Sequence, residues 1–296
     1  MAKIFFYTAF ALVAFAFNSI LCRLALKADE IDAVSFTAIR LVSGAVTLIA
    51  ISQVFNKADN KGRGSWVSAF FLFAYAICFS IAYTSLTTAT GALILFSSVQ
   101  FTMIFVGLVR GERPGAMEWI GLALALGGLI WLVFPGLAAP PLPSSLLMAA
   151  AGVAWGIFTL RGRGSRNAIG EMSGNFLRSV PMIALVSIPF LYQAKLSQNG
   201  IIFAVLSGAV ASGIGYSIWY AVLKHHTATR AAILQLAVPA LAAFGGVVIL
   251  SEAVSLRLIL ASALILCGIG IAVLGKRKFA TESTEATEKK KLEPRK

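Results

Sequence analysis

A chain of 296 residues that is 58% hydrophobic and only 12% charged, with a mean hydropathy of +0.86, lies well above the roughly 45–50% apolar content of soluble domains. That excess needs a bilayer to cover it and excludes a water-soluble globular domain. The net charge of +13 would suggest nucleic acid in a soluble protein; here Lys and Arg sit in short breaks between apolar segments and in the tail, where they orient helices and meet anionic headgroups, so membrane lipid and not nucleic acid is the expected partner.

A spanning helix needs about 20 mostly apolar residues, and ten stretches approach that length: residues 4–26, 32–53, 66–87, 91–109, 116–134, 144–160, 170–193, 200–222, 228–250 and 256–274. The break from Asn56 to Ser65 carries Lys, Asp, Asn and Gly, and Arg161, Gly162, Arg163, Gly164 and Arg166 cut the sixth stretch short. Pro135, Pro140, Pro141 and Pro143 cannot continue a helix and form the joint after the fifth. These segments predict an all-α integral membrane protein of ten transmembrane helices. Residues 1–134 form a first five-helix repeat, 135–143 a proline-rich connector, 144–274 a second five-helix repeat and 275–296 a polar, disordered cytoplasmic tail. No small-residue cleavage site follows the first segment, so it is expected to stay in place.

The two halves read alike. Arg40 and Arg178 stand 138 apart, as do Phe17 and Trp155, and Arg23 and Arg161; Tyr83 and Leu86 match Tyr220 and Leu223 at 137, and Glu112 and Gly128 match Glu252 and Gly268 at 140. Lys3, Lys57, Lys61, Arg63, Arg110, Arg113, Arg161, Arg163, Arg166, Lys224 and Arg230 fall on one side of the alternating loops, against Arg23, Lys27, Lys195 and Arg257 on the other. The richer side is cytoplasmic by the positive-inside rule, which places both termini there. Five helices per repeat is an odd number, so the second repeat enters the membrane inverted, the arrangement that alternating access uses.

Ser35-Phe36-Thr37-Ala38-Ile39-Arg40, Ala82-Tyr83-Thr84-Ser85-Leu86, Gly111-Glu112-Arg113 and Trp119-Ile120-Gly121 in the first half, with Tyr220 to Lys224, Val238-Pro239, Ser251-Glu252 and Cys267-Gly268 in the second, resemble the drug/metabolite transporter superfamily, EamA-type. The resemblance covers residues 4–274 and is strongest to YddG-like exporters. It implies export of aromatic and other apolar amino acids across the inner membrane. Two positions depart from the pattern: Gln100 where the first repeat often has proline, and Arg110 where leucine usually precedes Gly-Glu.

A substrate cavity between helices should show aromatic and polar groups at helical spacing. Tyr75, Phe79 and Tyr83 lie four apart on the third helix, Tyr216 and Tyr220 lie four apart on the eighth, and Phe17 and Trp155 occupy matched places on the first and sixth. They offer flat apolar walls, with helix packing or the interfacial belt as the plain alternative. Asn18, Ser97, Ser98, Gln100 and Gln235 are placed to meet the ammonium and carboxylate of an amino acid, or to bond across helices. Arg40 and Arg178 could attract a carboxylate, but they lie too near opposite membrane faces to meet at one substrate and are assigned structural gating roles, snorkelling or binding loop carbonyls and helix C-termini; Pro239 is assigned a hinge role.

None of the twelve acidic residues lies in the middle of a segment, so facilitated efflux is expected in place of proton coupling. His225 and His226 are adjacent with no carboxylate spaced for a metal or a triad, and no Walker-type loop is present. Cys22, Cys78 and Cys267 read as small core residues. The expectation is a transporter with no enzymatic activity, cofactor or metal, acting as a monomer on small molecules. A carrier of another metabolite or drug, a proton-coupled antiporter and a non-transporting scaffold are the alternatives.

Overall fold

The computed structural model describes residues 2–55, 64–109, 115–134, 139–162, 167–223, 234–235 and 237–271. The expected tail at 275–296, the His225–His226 pair and the Gly111-Glu112-Arg113 motif lie outside them. The elements are α1 (Ala2–Lys27), α2 (Ala33–Phe55), α3 (Trp66–Tyr83), α4 (Thr88–Val109), α5 (Ala116–Val133), α6 (Leu142–Gly162) and α7 (Ala168–Ser187), which tightens into a 3₁₀ turn over Ile188–Gln193. Next comes one rod made of α8 (Gln198–Val205), a π-helical stretch (Leu206–Ile214) and α9 (Gly215–Leu223). Then follow α10 (Ala237–Leu250) and α11 (Leu256–Ile271).

By length and composition, seven helices among the described residues can cross a membrane, and Trp119–Leu132, Ala237–Leu250 and Leu256–Ile271 are shorter apolar helices. The described residues form no strand beyond an isolated bridge between Ile31 and Leu196. Helices are what a bilayer demands, because lipid offers backbone N–H and C=O groups no partner. Thr8, Ser97, Thr102, Ser145, Thr159 and Ser217 hide their hydroxyls the same way, each donating to the carbonyl four residues back. Large apolar side chains such as Phe5, Val46, Phe70, Trp119, Leu185 and Phe244 point outward. A soluble protein would not tolerate such a surface, and a multi-pass membrane protein requires it.

The core is built where helices meet through small residues. α6 packs against α3 and α4, α1 packs against the α8–α9 rod and α10, and α2 packs against α7 and the π stretch. At Gly152 of α6 a Cβ would stand 2.5 Å from both the Leu95 carbonyl oxygen and Ser98 Cβ, so the α4 and α6 backbones approach as closely as glycine allows. A Cβ at Gly208 would overlap Ser43 Oγ and the Arg40 carbonyl oxygen, fixing the π stretch against α2. At Gly268 it would lie 2.5 Å from the Ala125 nitrogen and 2.6 Å from the Gly121 oxygen, which seats α11 on α5.

The α1–α2 corner is tied to the corner before α8. The Asp32 carboxylate accepts from the N–H groups of Val34 (3.0 Å) and Ser35 (2.9 Å), capping α2, and from the Lys195 N–H at 3.1 Å. The Ser197 N–H donates to the Glu30 carbonyl at 2.9 Å. Partial burial works to raise the Asp32 pKa, but the hydrogen bonds from Ser35, Lys195 and Val34 prevail and hold it below the ordinary carboxylate range. A carboxyl depressed in the folded state stabilises fully above its unfolded pKa of about 3.9 and loses that contribution as pH falls through the folded value. Asp32→Ala is therefore expected to cost about 1 kcal/mol at neutral pH. Thermal unfolding in detergent should show the gap between variant and parent holding down to about pH 4 and closing below it; a gap that stays unchanged well below that pH would mean that the cap does not titrate.

Candidate substrate cavity

Helical periodicity brings one face of each of five elements to a common centre. α1 supplies Phe15, Asn18 and Ser19, α3 supplies Tyr75 and Phe79, α4 supplies Leu95 and Phe96, α6 supplies Trp155 and α9 supplies Tyr216. The aromatic wall is continuous. The Trp155 centroid lies 4.8 Å from those of both Tyr75 and Tyr216, Tyr75 lies 5.4 Å from Phe79, and Phe15 meets Tyr216 edge-on at 5.5 Å. Such tilted and edge-on pairs are the arrangements that ring quadrupoles favour. The space between these rings has room for about one water molecule, too little for an amino acid.

A polar chain runs beside these rings. Ser207 Oγ donates to Asn18 Oδ1 at 2.5 Å, Asn18 Nδ2 donates to the Tyr75 hydroxyl at 3.3 Å, and Arg40 Nη2 donates to the same hydroxyl at 3.0 Å. Arg40 Nε reaches Ser212 Oγ at 3.4 Å. Its guanidinium carbon lies 5.1 Å from the Tyr75 centroid and 5.0 Å from that of Phe79, within cation–π range. Ser207 and Ser212 both come from the π stretch, a geometry that recurs at functional sites.

One layer beyond Phe79, Tyr83 stacks edge-on at 4.7 Å and donates its hydroxyl to the Thr88 carbonyl at 3.3 Å. There the chain closes on itself. Arg23 pairs with Glu252 (Nε to Oε1, 3.2 Å) and donates Nη1 to the carbonyls of Tyr83 (2.8 Å) and Thr84 (3.0 Å), while Glu252 Oε2 accepts the Thr88 N–H at 2.8 Å. One buried ion pair thus joins the end of α1, the α3–α4 corner and the segment after α10.

Among the residues singled out from sequence, Asn18, Tyr75, Phe79, Trp155 and Tyr216 line the cavity. Phe17 does not. It is 38% exposed and faces away, because successive helical residues turn by about 100° and α1 points Phe15, Asn18 and Ser19 inward together. Placing Asn18 inside already implied Phe15, three residues earlier, and turned Phe17 outward. Tyr83 is fully buried as a layer below the cavity, not in the interfacial belt. Ser97 turns its hydroxyl to the Leu93 carbonyl at 2.7 Å, and Ser98 packs where α4 meets Gly152. Gln100 and Gln235 are buried outside the lining, and Pro239 is buried in α10. Tyr220 falls within α9, its side chain outside what is described.

The two arginines part company. Arg178 donates to the Gly174 carbonyl at 3.0 Å and lies 5.9 Å from the exposed Trp66 ring. Arg40 does not reach for a membrane face as expected from its place in α2; it is 2% exposed and packs behind the cavity wall. Asn18, Tyr75 and the π stretch give its guanidinium a polar niche, and that lets it stay inside.

This ring-lined cavity inside a helical membrane protein is the geometry of a small-molecule carrier. The EamA-like transporter family model matches the chain twice, over residues 2–134 and 142–274. The chain belongs to the EamA-like transporter family. A Pseudomonas aeruginosa relative, named only as an uncharacterized protein, is 47% identical over 264 residues, covering 89% of this chain and 92% of its own. A Salmonella typhimurium relative bearing the name Probable amino-acid metabolite efflux pump is 27% identical over 259 residues, 78% of this chain and 83% of its own. A protein crystal structure with 22% identity superposes with a TM-score of 0.64 over 91% of this chain and 97% of its own, a likeness of fold. The family is one of transporters, and relatives from Archaeoglobus fulgidus, Bacillus subtilis and Salmonella typhimurium carry transporter or efflux-pump names.

Proposed function

We propose that this EamA-family transporter moves aromatic and other apolar amino acids across the bacterial inner membrane, by facilitated efflux and alternating access. The observation that carries the reading is the aromatic cavity, whose walls come from helices of both halves. Flat rings suit an aromatic or long aliphatic side chain, and the name of the Salmonella relative points to amino-acid metabolites. The absence of Asp or Glu from the middle of every expected span supports movement down a gradient without a proton site.

Ten spans in two inverted repeats, with cytoplasmic termini, is the architecture this reading uses. It is supported by the packing: exchanging α1 with α6, α2 with α7, α3 with the α8–α9 rod and α4 with α10 turns one set of helix contacts into the other. α2 packs on α7 and α5 on α11, each pair mapping onto itself. Such a pseudo-twofold lets one closed cavity open to either face by rocking one half on the other.

Uptake of labelled phenylalanine, methionine, threonine and a cationic dye into proteoliposomes, with and without a pH gradient, tests the proposal. Saturable uptake of the amino acids without the gradient is the expected result. A strict requirement for the gradient would replace the facilitative mechanism by proton antiport, and dye uptake alone would make the protein a drug carrier.

A further inference from the structure

The structure assigns to Arg40 the recognition of the substrate's carboxylate, so that the ligands of this cavity are monocarboxylates carrying an apolar side chain. The inference rests on the cavity being the substrate site, and it adds the group that selects the substrate's charge. A guanidinium presents five N–H donors. In Arg40, Nε meets a serine hydroxyl at 3.4 Å, Nη2 meets the Tyr75 hydroxyl at 3.0 Å, and Nη1 is buried with no hydrogen-bond partner among the described residues. Two aromatic faces hold the cation from the sides. No carboxylate does so: the described salt bridges are Arg23–Glu252 and Lys195–Asp29, and no acidic residue lies in the middle of an expected span.

A cation held in a bilayer without a counter-ion is costly and marks a functional site. Arginine, unlike lysine, offers two parallel donors that match the two oxygens of a carboxylate. Tyr75 connects this cation to the cavity, since its ring forms the wall while its hydroxyl touches the guanidinium. When the cavity widens, a carboxylate entering beside Tyr75 reaches Nη1 and Nη2 together and becomes the missing counter-ion. The ammonium of an amino acid finds no carboxylate here, only the amide of Asn18 and neighbouring hydroxyls. The carboxylate is therefore required and the ammonium is not.

Thermal stabilisation of the purified full-length protein in detergent by 3-phenylpropionate, phenethylamine, phenylalaninamide and phenylalanine reads this directly. The two carboxylates are expected to raise the Tm of the native protein, and the amine and amide at least ten-fold less potently. Arg40→Gln should lose the carboxylate response, with Arg40→Lys keeping a weakened one, while both elute as the native monodisperse species. Equal stabilisation by phenethylamine, or a carboxylate response unchanged in Arg40→Gln, overturns the proposal. Should Arg40→Gln fail to fold, the carboxylate-to-amide ratio of the native protein and the Arg40→Lys response decide it. Discrimination by 3-phenylpropionate in a protein that moves no amino acid would keep the anion site and discard the amino acid reading. Transport of phenylalanine and phenylalaninamide at equal rates would do the reverse.

Discussion

Replacing Glu252 by alanine is expected to lower the stability of the protein by about 3 kcal/mol, the low end for breaking a buried ion pair by deleting one partner. The side chains of Arg23 and Glu252 are only 11% and 7% exposed, so the deletion strands a guanidinium and also the Thr88 N–H that Glu252 accepts at the start of α4. Arg23 keeps the Tyr83 and Thr84 carbonyls, which limits the loss. A fall in Tm of about 5 °C in detergent is the expected reading. Because the network closes the layer beyond Phe79 and Tyr83, a cysteine placed at Ser19 should also become more reactive to a water-soluble thiol reagent from that side. The charge reversal Arg23→Glu with Glu252→Arg should not rescue either effect, since a carboxylate at position 23 would face two carbonyl oxygens and an arginine at 252 would face an N–H. Unchanged Tm and labelling in Glu252→Ala would show that packing alone holds this end shut.

The sequence marked Glu252 only as a repeat-matched residue at a segment end, and its partner Arg23 as one of few basic residues on the poorer side. Their pairing, 229 positions apart, depends on how α1 and α10 cross, which no local pattern encodes. The all-helical architecture was legible, because bilayer length and backbone satisfaction leave little choice, and seven of the described helices reach membrane length. Their ends were less so: α3 stops at Tyr83 and α4 starts at Thr88, where the apolar pattern runs on to 87 and resumes at 91. The π stretch was invisible, since it arises from the close seating of Gly208 and Gly213 on α2. Within the cavity, spacing along one helix brings Tyr75 and Phe79 together as expected, whereas the repeat offset that pairs Phe17 with Trp155 carries no information about the rotation of α1. Depth along α2 puts Arg40 near a membrane face, but that one-dimensional measure misses the niche prepared by Tyr75 and Ser212.

Phe79 is where the wall of the cavity and the buried cation meet, and Phe79→Ala should therefore change what the protein selects. Its ring lines the cavity, stacks with Tyr75 and Tyr83, and covers one side of the Arg40 guanidinium at 5.0 Å. An aromatic pair is worth about 0.5–1.5 kcal/mol beyond the area it buries, and the substrate's own ring draws on that term only if it is aromatic. In proteoliposomes the specificity constant for phenylalanine should fall about 3- to 10-fold further than those for methionine and threonine, the rate equivalent of that energy. Phe79→Leu keeps bulk and loses the ring, so it should restore methionine transport more fully than phenylalanine transport and thereby separate wall chemistry from collapse of the cavity. All carboxylate substrates should weaken to some extent in both variants, because Arg40 loses one of its two aromatic faces. If phenylalanine, methionine and threonine lost activity in equal proportion in Phe79→Leu, the ring would be packing between helices, and the aromatic selectivity proposed for this cavity would have to come from Trp155 or Tyr216 instead.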